Sequence, residues 1–141
     1  MRIEDQVSPV WASEKLKQLG IAQVGQYSWI ADPNRDDYGL SNRCVEELAL
    51  LHKANSIKHD DFLSAFTLSE LGLMMPRNSG TYYTGSTWKV FYCGTNEKAS
   101  YLFKKSEGFP SEMEARCQII IRGLTTGVLQ AEYINEKKLK E

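Results

Sequence analysis

The side chains here whose types could do chemistry are three cysteines, two histidines and several clustered carboxylates. A catalytic thiolate needs a lowered pKa and a base within hydrogen-bond reach. Cys93, at the end of an aromatic run and just before Gly94, is the best placed of the three, but no histidine stands near it in sequence. Cys44, Cys93 and Cys117 are odd in number, widely separated and free of any Cys-x-x-Cys pair. They read as reduced core thiols that behave as small hydrophobes.

Metal and phosphate chemistry are weighed next. Asp32, Asn34 and Asp36 alternate as in a calcium loop, but the sixth position, which needs glycine, is Asp37, and the twelfth, which needs glutamate, is Arg43. His52 and His59-Asp60-Asp61 have the right ligand types without an i, i+4 spacing to fix geometry. His52 reads as a satisfied, partly buried imidazole, and His59 to Asp61 as a solvated loop before the next helix. Gly80-Thr81-Tyr82-Tyr83-Thr84-Gly85-Ser86-Thr87 has the glycine spacing of a P-loop, yet Ser86 stands where the phosphate-binding lysine belongs. That stretch also precedes a strand, whereas a P-loop follows one. No Gly-x-Ser-x-Gly elbow, His-Glu-x-x-His pair or dinucleotide fingerprint occurs. No metal and no cofactor is expected.

The elements that must position any site are clearer than the chemistry. The 141 residues carry a formal net charge of -1 and are 42% hydrophobic, which fits one ordinary globular domain and argues against disorder. It also argues against a nucleic-acid binder driven by basic charge. No apolar run approaches membrane-spanning length and Met1 to Gln6 lacks an apolar signal segment, so the expected address is the cytoplasm, with no membrane partner.

Trp88 to Cys93 and Ser100 to Lys104, rich in aromatic and branched residues and separated by a polar loop with Gly94, read as a β-hairpin. Strand alternation puts Trp88, Val90 and Tyr92 on one face and Lys89, Phe91 and Cys93 on the other. One face can cover a helix, and the other needs a further element or a partner. Ser111-Glu112-Met113-Glu114 is a capping box, and Met113, Cys117, Ile120, Ile121 and Leu124 form one helical stripe that Gly127 can end.

Further helices are expected from Ser8-Pro9 to Gly20, from Ser41 or Asn42 to about Ala54, and from Thr67 to Met75, where Pro76 stops the last. Ile21 to Ile30 has strand character and is expected to extend the hairpin's sheet. Together these give an α+β fold: an antiparallel sheet of three or four strands with helices packed mainly on one face. Residues 1–130 are expected to form a single domain, and the charged tail 131–141 a frayed helix or disordered segment.

Several of these pieces together resemble a group of small uncharacterised proteins encoded by tailed phages and prophages of gut bacteria. The residues concerned are Ser13-Glu14-Lys15-Leu16-Lys17-Gln18-Leu19-Gly20, Tyr27 and Trp29, Phe66-Thr67-Leu68-Ser69-Glu70-Leu71-Gly72 with Met75-Pro76, Trp88, and Glu112-Met113-Glu114-Ala115-Arg116 running into Ile119-Ile120-Ile121 and Leu124. The resemblance covers about Ser13 to Leu129, while Asp32 to Ile57 is longer and more polar than in that group. It implies a bacterial host cell as the setting and carries over no catalytic or binding residue, since the group has no assigned activity.

The aromatic load of the hairpin then points to a non-enzymatic accessory protein that binds another protein, either a bacterial host protein or a second copy of itself. Its expected contact surface is Trp88, Tyr92, Tyr101, Phe103 and Lys104, because exposed aromatics are common interface anchors. The alternative is a single-stranded nucleic-acid-binding module, with Tyr92, Tyr101 or Phe103 stacking bases and Lys89, Lys98, Lys104 and Lys105 meeting phosphates. A second alternative is a small enzyme whose site is assembled only in three dimensions.

Overall fold

A computed structural model describes residues 2–32, 37–51 and 62–139. His52, His59, Asp60, Asp61 and the 33–36 part of the acidic loop lie outside the described residues. The chain is α+β and its contacts divide it into two units, Met1–Thr67 and Leu68–Glu141.

In the first unit a short 3-10 turn, Ile3–Gln6, leads to α1 (Val10–Gln18). Then come β1 (Tyr27–Asp32), β2 (Asp37–Ser41), α2 (Val45–Leu51) and β3 (Phe62–Ala65). The sheet is antiparallel in the order β2-β1-β3. Trp29 faces Leu40 on one side and Leu63 on the other, and Ile30 faces Gly39 and Phe62. Period-two alternation therefore divides the sheet into two faces. Trp29, Leu63 and Ala65 pack with Val7 and Val10 on one face. Phe62 and Ile30 pack with Val45 and Leu48 of α2 on the other. All four β3 residues are buried, although β3 lies at an edge of the described sheet and pairs with β1 alone.

Ser8 does not cap α1: the cap position falls to Pro9, which has no side chain to accept a bond. Ser8 is instead the buried clasp of the unit. Its N–H donates to the Phe66 carbonyl at 2.7 Å, and the Phe66 N–H returns a bond to the Ser8 hydroxyl at 2.9 Å. The Ser8 carbonyl accepts from the Trp29 indole at 2.8 Å and from the Ser13 hydroxyl at 3.2 Å. Every polar atom of a fully buried residue is thereby satisfied, as burial demands.

The second unit runs α3 (Leu68–Met74), β4 (Ser79–Thr84), β5 (Thr87–Tyr92), α4 (Glu97–Ser100), α5 (Glu112–Thr126), α6 (Ala131–Tyr133) and a π-helical turn, Ile134–Lys138. The hairpin is β4 with β5, in the register Thr81 to Val90 and Tyr83 to Trp88. The expected pairing of Trp88 to Cys93 with Ser100 to Lys104 does not form. Two local preferences decide against it. Gly85 takes φ +64° in the two-residue Gly85-Ser86 loop, the pattern of a type II′ turn, which matches strand twist and fixes β5 against the preceding segment. Downstream, the Asn96 side chain accepts from the Ala99 amide and starts α4 in the expected loop, and that helix takes in Ser100, the first residue of the expected strand. The other edge of β5 is met at Trp88 by Phe109, with mutual backbone bonds of 2.9 and 2.8 Å. Likewise β1 does not extend this hairpin, being paired on both sides in its own sheet.

The α5 helix is the spine of the unit. Ser111 accepts from the Glu114 amide at 3.0 Å, and Gly127 ends the helix in the left-handed region at φ +83°. The reciprocal half of the expected capping box is absent among the described bonds; the Glu114 carboxylate accepts from Gln118 instead. Met113, Cys117 and Ile120 are buried as the stripe implied, but so are Ala115 and Ile119. At 100° per residue the buried arc spans about 200°, because α3 covers a second side of the helix that the hairpin does not. Beyond Gly127 the tail is helical from Ala131 to Lys138, and Ile134 is buried.

Candidate functional site

Residues that oppose one another across an antiparallel pair share a face, so the hairpin register sorts its side chains. Ser79, Thr81, Tyr83, Trp88, Val90 and Tyr92 lie on one face. Val90 is buried, and Thr81 donates to Glu112 of α5 at 2.6 Å, so this is the face laid on the helix. Gly80, Tyr82, Lys89 and Phe91 share the other. There the Phe91 ring lies across Gly80, and Tyr82 leans against it with ring centroids 6.2 Å apart. Tyr82 and Phe91 are each 43% exposed, Tyr83 59% and Tyr101 73%, high values for aromatic side chains.

The five residues expected to form the contact surface are distributed unevenly. Tyr92 and Phe103 come together as a stacked pair, centroids 5.5 Å apart and 14° between planes, and both are half-buried. Trp88 is half-buried at the far end of β5, edge-on to Tyr83 at 5.5 Å. Tyr101 and Lys104 are exposed on the segment after α4. A groove of about 330 Å³ is lined by residues of both hairpin faces, Tyr82 and Phe91 from one and Val90 and Tyr92 from the other, together with Ser100, Phe103 and Lys105. Phe91 and Tyr82 belong to the surface although they were not among the five. The signal for Phe91 was its alternation with Val90, while Tyr82 became assignable only once the β4 register was known.

Two arginines of α5 hold the parts that border this groove. Arg116 donates to the Leu68 carbonyl of α3 at 2.6 Å and to Glu112 at 3.0 Å, and the same Glu112 oxygen takes the Thr81 hydroxyl. One half-buried charge network thus joins α3, α5 and β4. Arg122 grips both oxygens of Glu107 at 2.9 Å and also donates to the Leu102 carbonyl at 2.8 Å, which fixes the segment carrying Phe103, Lys104 and Lys105. The Arg122 hydrogen bonds hold the Glu107 carboxyl below its ordinary value; burial opposes them in part, and the Arg122 and Lys104 charges reinforce them. Among the described residues no carboxylate lines the groove; Lys105 does, and the Lys89 ammonium, from the strand position opposite Tyr82, reaches the Lys105 carbonyl at 3.4 Å, which sets two cations beside it.

The cysteines divide by environment. Cys117 is buried, and burial, aided by the Glu114 charge, pushes its thiol up to about 12. Such a group is a packing element. Cys93 is exposed, and its thiol donates to the Asn78 carbonyl at 3.3 Å. Among the described residues no group of three or more His, Cys, Asp or Glu side chains is arranged to hold a metal ion. No described helix is long and apolar enough to cross a membrane.

The fold and the groove define an α+β protein with an exposed aromatic surface. Comparison with protein-family models, curated proteins and solved structures gives no match to this chain.

Proposed function

We propose that the protein is a non-enzymatic binding module that holds an extended segment of another protein against the outer face of the β4–β5 hairpin. The observation that carries this reading is the pair Tyr82 and Phe91, side by side on the strand face turned away from α5 and each 43% exposed. An aromatic pair of this kind, beside a groove backed by the Tyr92 and Phe103 stack, offers a pocket for one apolar anchor of the partner. Lys105 in the groove lining and Lys89 beside it favour acidic residues next to that anchor, since charge complementarity sets partner choice and association rate. The resemblance to phage and prophage proteins makes a bacterial host protein the partner class we favour. The overall charge of -1 counts against the nucleic-acid alternative.

Selection of random-sequence peptides on the immobilised protein tests this reading. Enriched peptides are expected to pair an aromatic or branched side chain with neighbouring Asp or Glu. Phe91→Ser should weaken their binding by about tenfold or more, the cost of losing one anchoring contact. Lys105→Glu, an exposed change that leaves the hairpin packing alone, should reverse the preference for acidic peptides. Failure to enrich any common pattern, or peptide binding indifferent to both substitutions, overturns the reading. Tighter binding of an oligothymidine than of any selected peptide would move it to the nucleic-acid class.

A further inference from the structure

A second cleft in the Leu68–Glu141 unit is built differently. Its volume is about 380 Å³, within the range of small-molecule sites. Its lining is mixed: Pro76, Val128, Leu129 and Ile134 supply apolar surface, and two cationic side chains, Arg77 and Lys138, stand among its polar groups. Among the described residues no carboxylate lines it and neither cation has a carboxylate partner. Lys138 is fixed in place, its ammonium donating to the Met75 carbonyl at 2.9 Å and leaving two N–H groups for other acceptors.

Two like charges beside one apolar cleft repel each other unless an anion sits between them. Burial first, and then the Arg77 charge, hold the Lys138 ammonium below the ordinary lysine value, and an anion beside both cations would offset that repulsion. Asn78 and Thr95 add polar groups to the lining. The guanidinium of Arg77 suits a planar carboxylate, which it can meet with two parallel N–H donors.

We propose that this cleft binds a small organic carboxylate, its charged group held between Arg77 and Lys138 and its apolar body against Val128, Leu129 and Ile134. The site is separate in chemistry from the aromatic groove, although the Tyr92 side chain lines both. It does not depend on the protein-binding reading.

Backbone-amide NMR titration of the full chain with phenylacetate, and in parallel with its neutral isostere phenylacetamide, tests the assignment. Phenylacetate is expected to shift the amides of Asn78, Thr95 and Gln130 saturably. Phenylacetamide should bind at least about tenfold more weakly, since it forfeits the charge-assisted bonds. Arg77→Gln, an exposed substitution that leaves the packing intact, should weaken phenylacetate by a similar factor and leave phenylacetamide unchanged. Equal binding of the two compounds, shifts elsewhere in the chain, or no saturation with phenylacetate overturns the proposal.

Discussion

Gly72 lies within α3, where alanine is normally the better residue by about 0.8–1.0 kcal/mol. Gly72→Ala should nonetheless destabilise this protein. A Cβ at position 72 would stand 2.6 Å from the Nη1 atom of Arg116, the atom that donates to the Leu68 carbonyl at 2.6 Å. The guanidinium must move, and a hydrogen bond from a charged donor contributes about 1.5–3 kcal/mol. Set against the helix gain, the net loss is about 0.5–2 kcal/mol, readable as a lower urea midpoint with unchanged slope. The decisive measurement is the same substitution in an Arg116→Met background. With no guanidinium to displace, the helix preference alone remains, and Gly72→Ala should stabilise that background by about 1 kcal/mol. The change of sign is the signature. Equal effects in the two backgrounds, or a stabilised Gly72→Ala single variant, would show that the Arg116 position is not what keeps glycine at this site.

Three further outcomes are expected. Glu107 has its carboxyl held below the ordinary 4.5, so the stability it contributes is present above that pH and is lost as pH falls through its lower folded value. Arg122→Gln should therefore cost about 1 kcal/mol at neutral pH and flatten the acid limb of the stability profile, measured by urea unfolding from pH 7 to about pH 3. Alkylation followed by peptide mass spectrometry should label Cys93 in the native protein and reach Cys117 only on unfolding, because one thiol is exposed and the other is buried with its pKa pushed up to about 12. Ser8→Ala should destabilise by about 1–3 kcal/mol in thermal or urea unfolding, since it strands the buried Phe66 amide without an acceptor.

Much of the fold was legible where local signals governed it. Ser111 and Gly127 mark the ends of α5 by chemistry that acts within one turn, and the Leu68 to Met74 helix stops ahead of Pro76 for the same kind of reason. What was misread depended on competition between segments. Tyr101 and Phe103 have strand propensity, but Asn96 captured the preceding residues into a helical turn, and the Gly85-Ser86 loop had already given β5 its partner. That loop was the hairpin signal, hidden because β4 is a run of glycine, serine, threonine and tyrosine. Phe62 to Ala65 lies between the His59 to Asp61 cluster and the next expected helix, too short to carry a clear strand signal of its own; it becomes a strand through pairing with β1, more than thirty residues away in sequence. At the candidate site, the two-faced character of β5 followed from alternation alone, whereas Tyr82 and the gripping of Glu107 by Arg122 arise from tertiary register that no local pattern encodes.

The Ser8 clasp bears on the order in which the chain can mature. Its two bonds to Phe66 join residues 58 positions apart. A ribosome adding about 5–20 residues per second takes roughly 3–12 seconds to cover that distance. From the addition of Trp29 until Phe62 to Ala65 are made, the nascent chain holds β1 without one of its two partner strands. The first unit therefore closes late and all at once, so slow synthesis between these positions lengthens the time in which chaperones, proteases or another nascent chain can reach it.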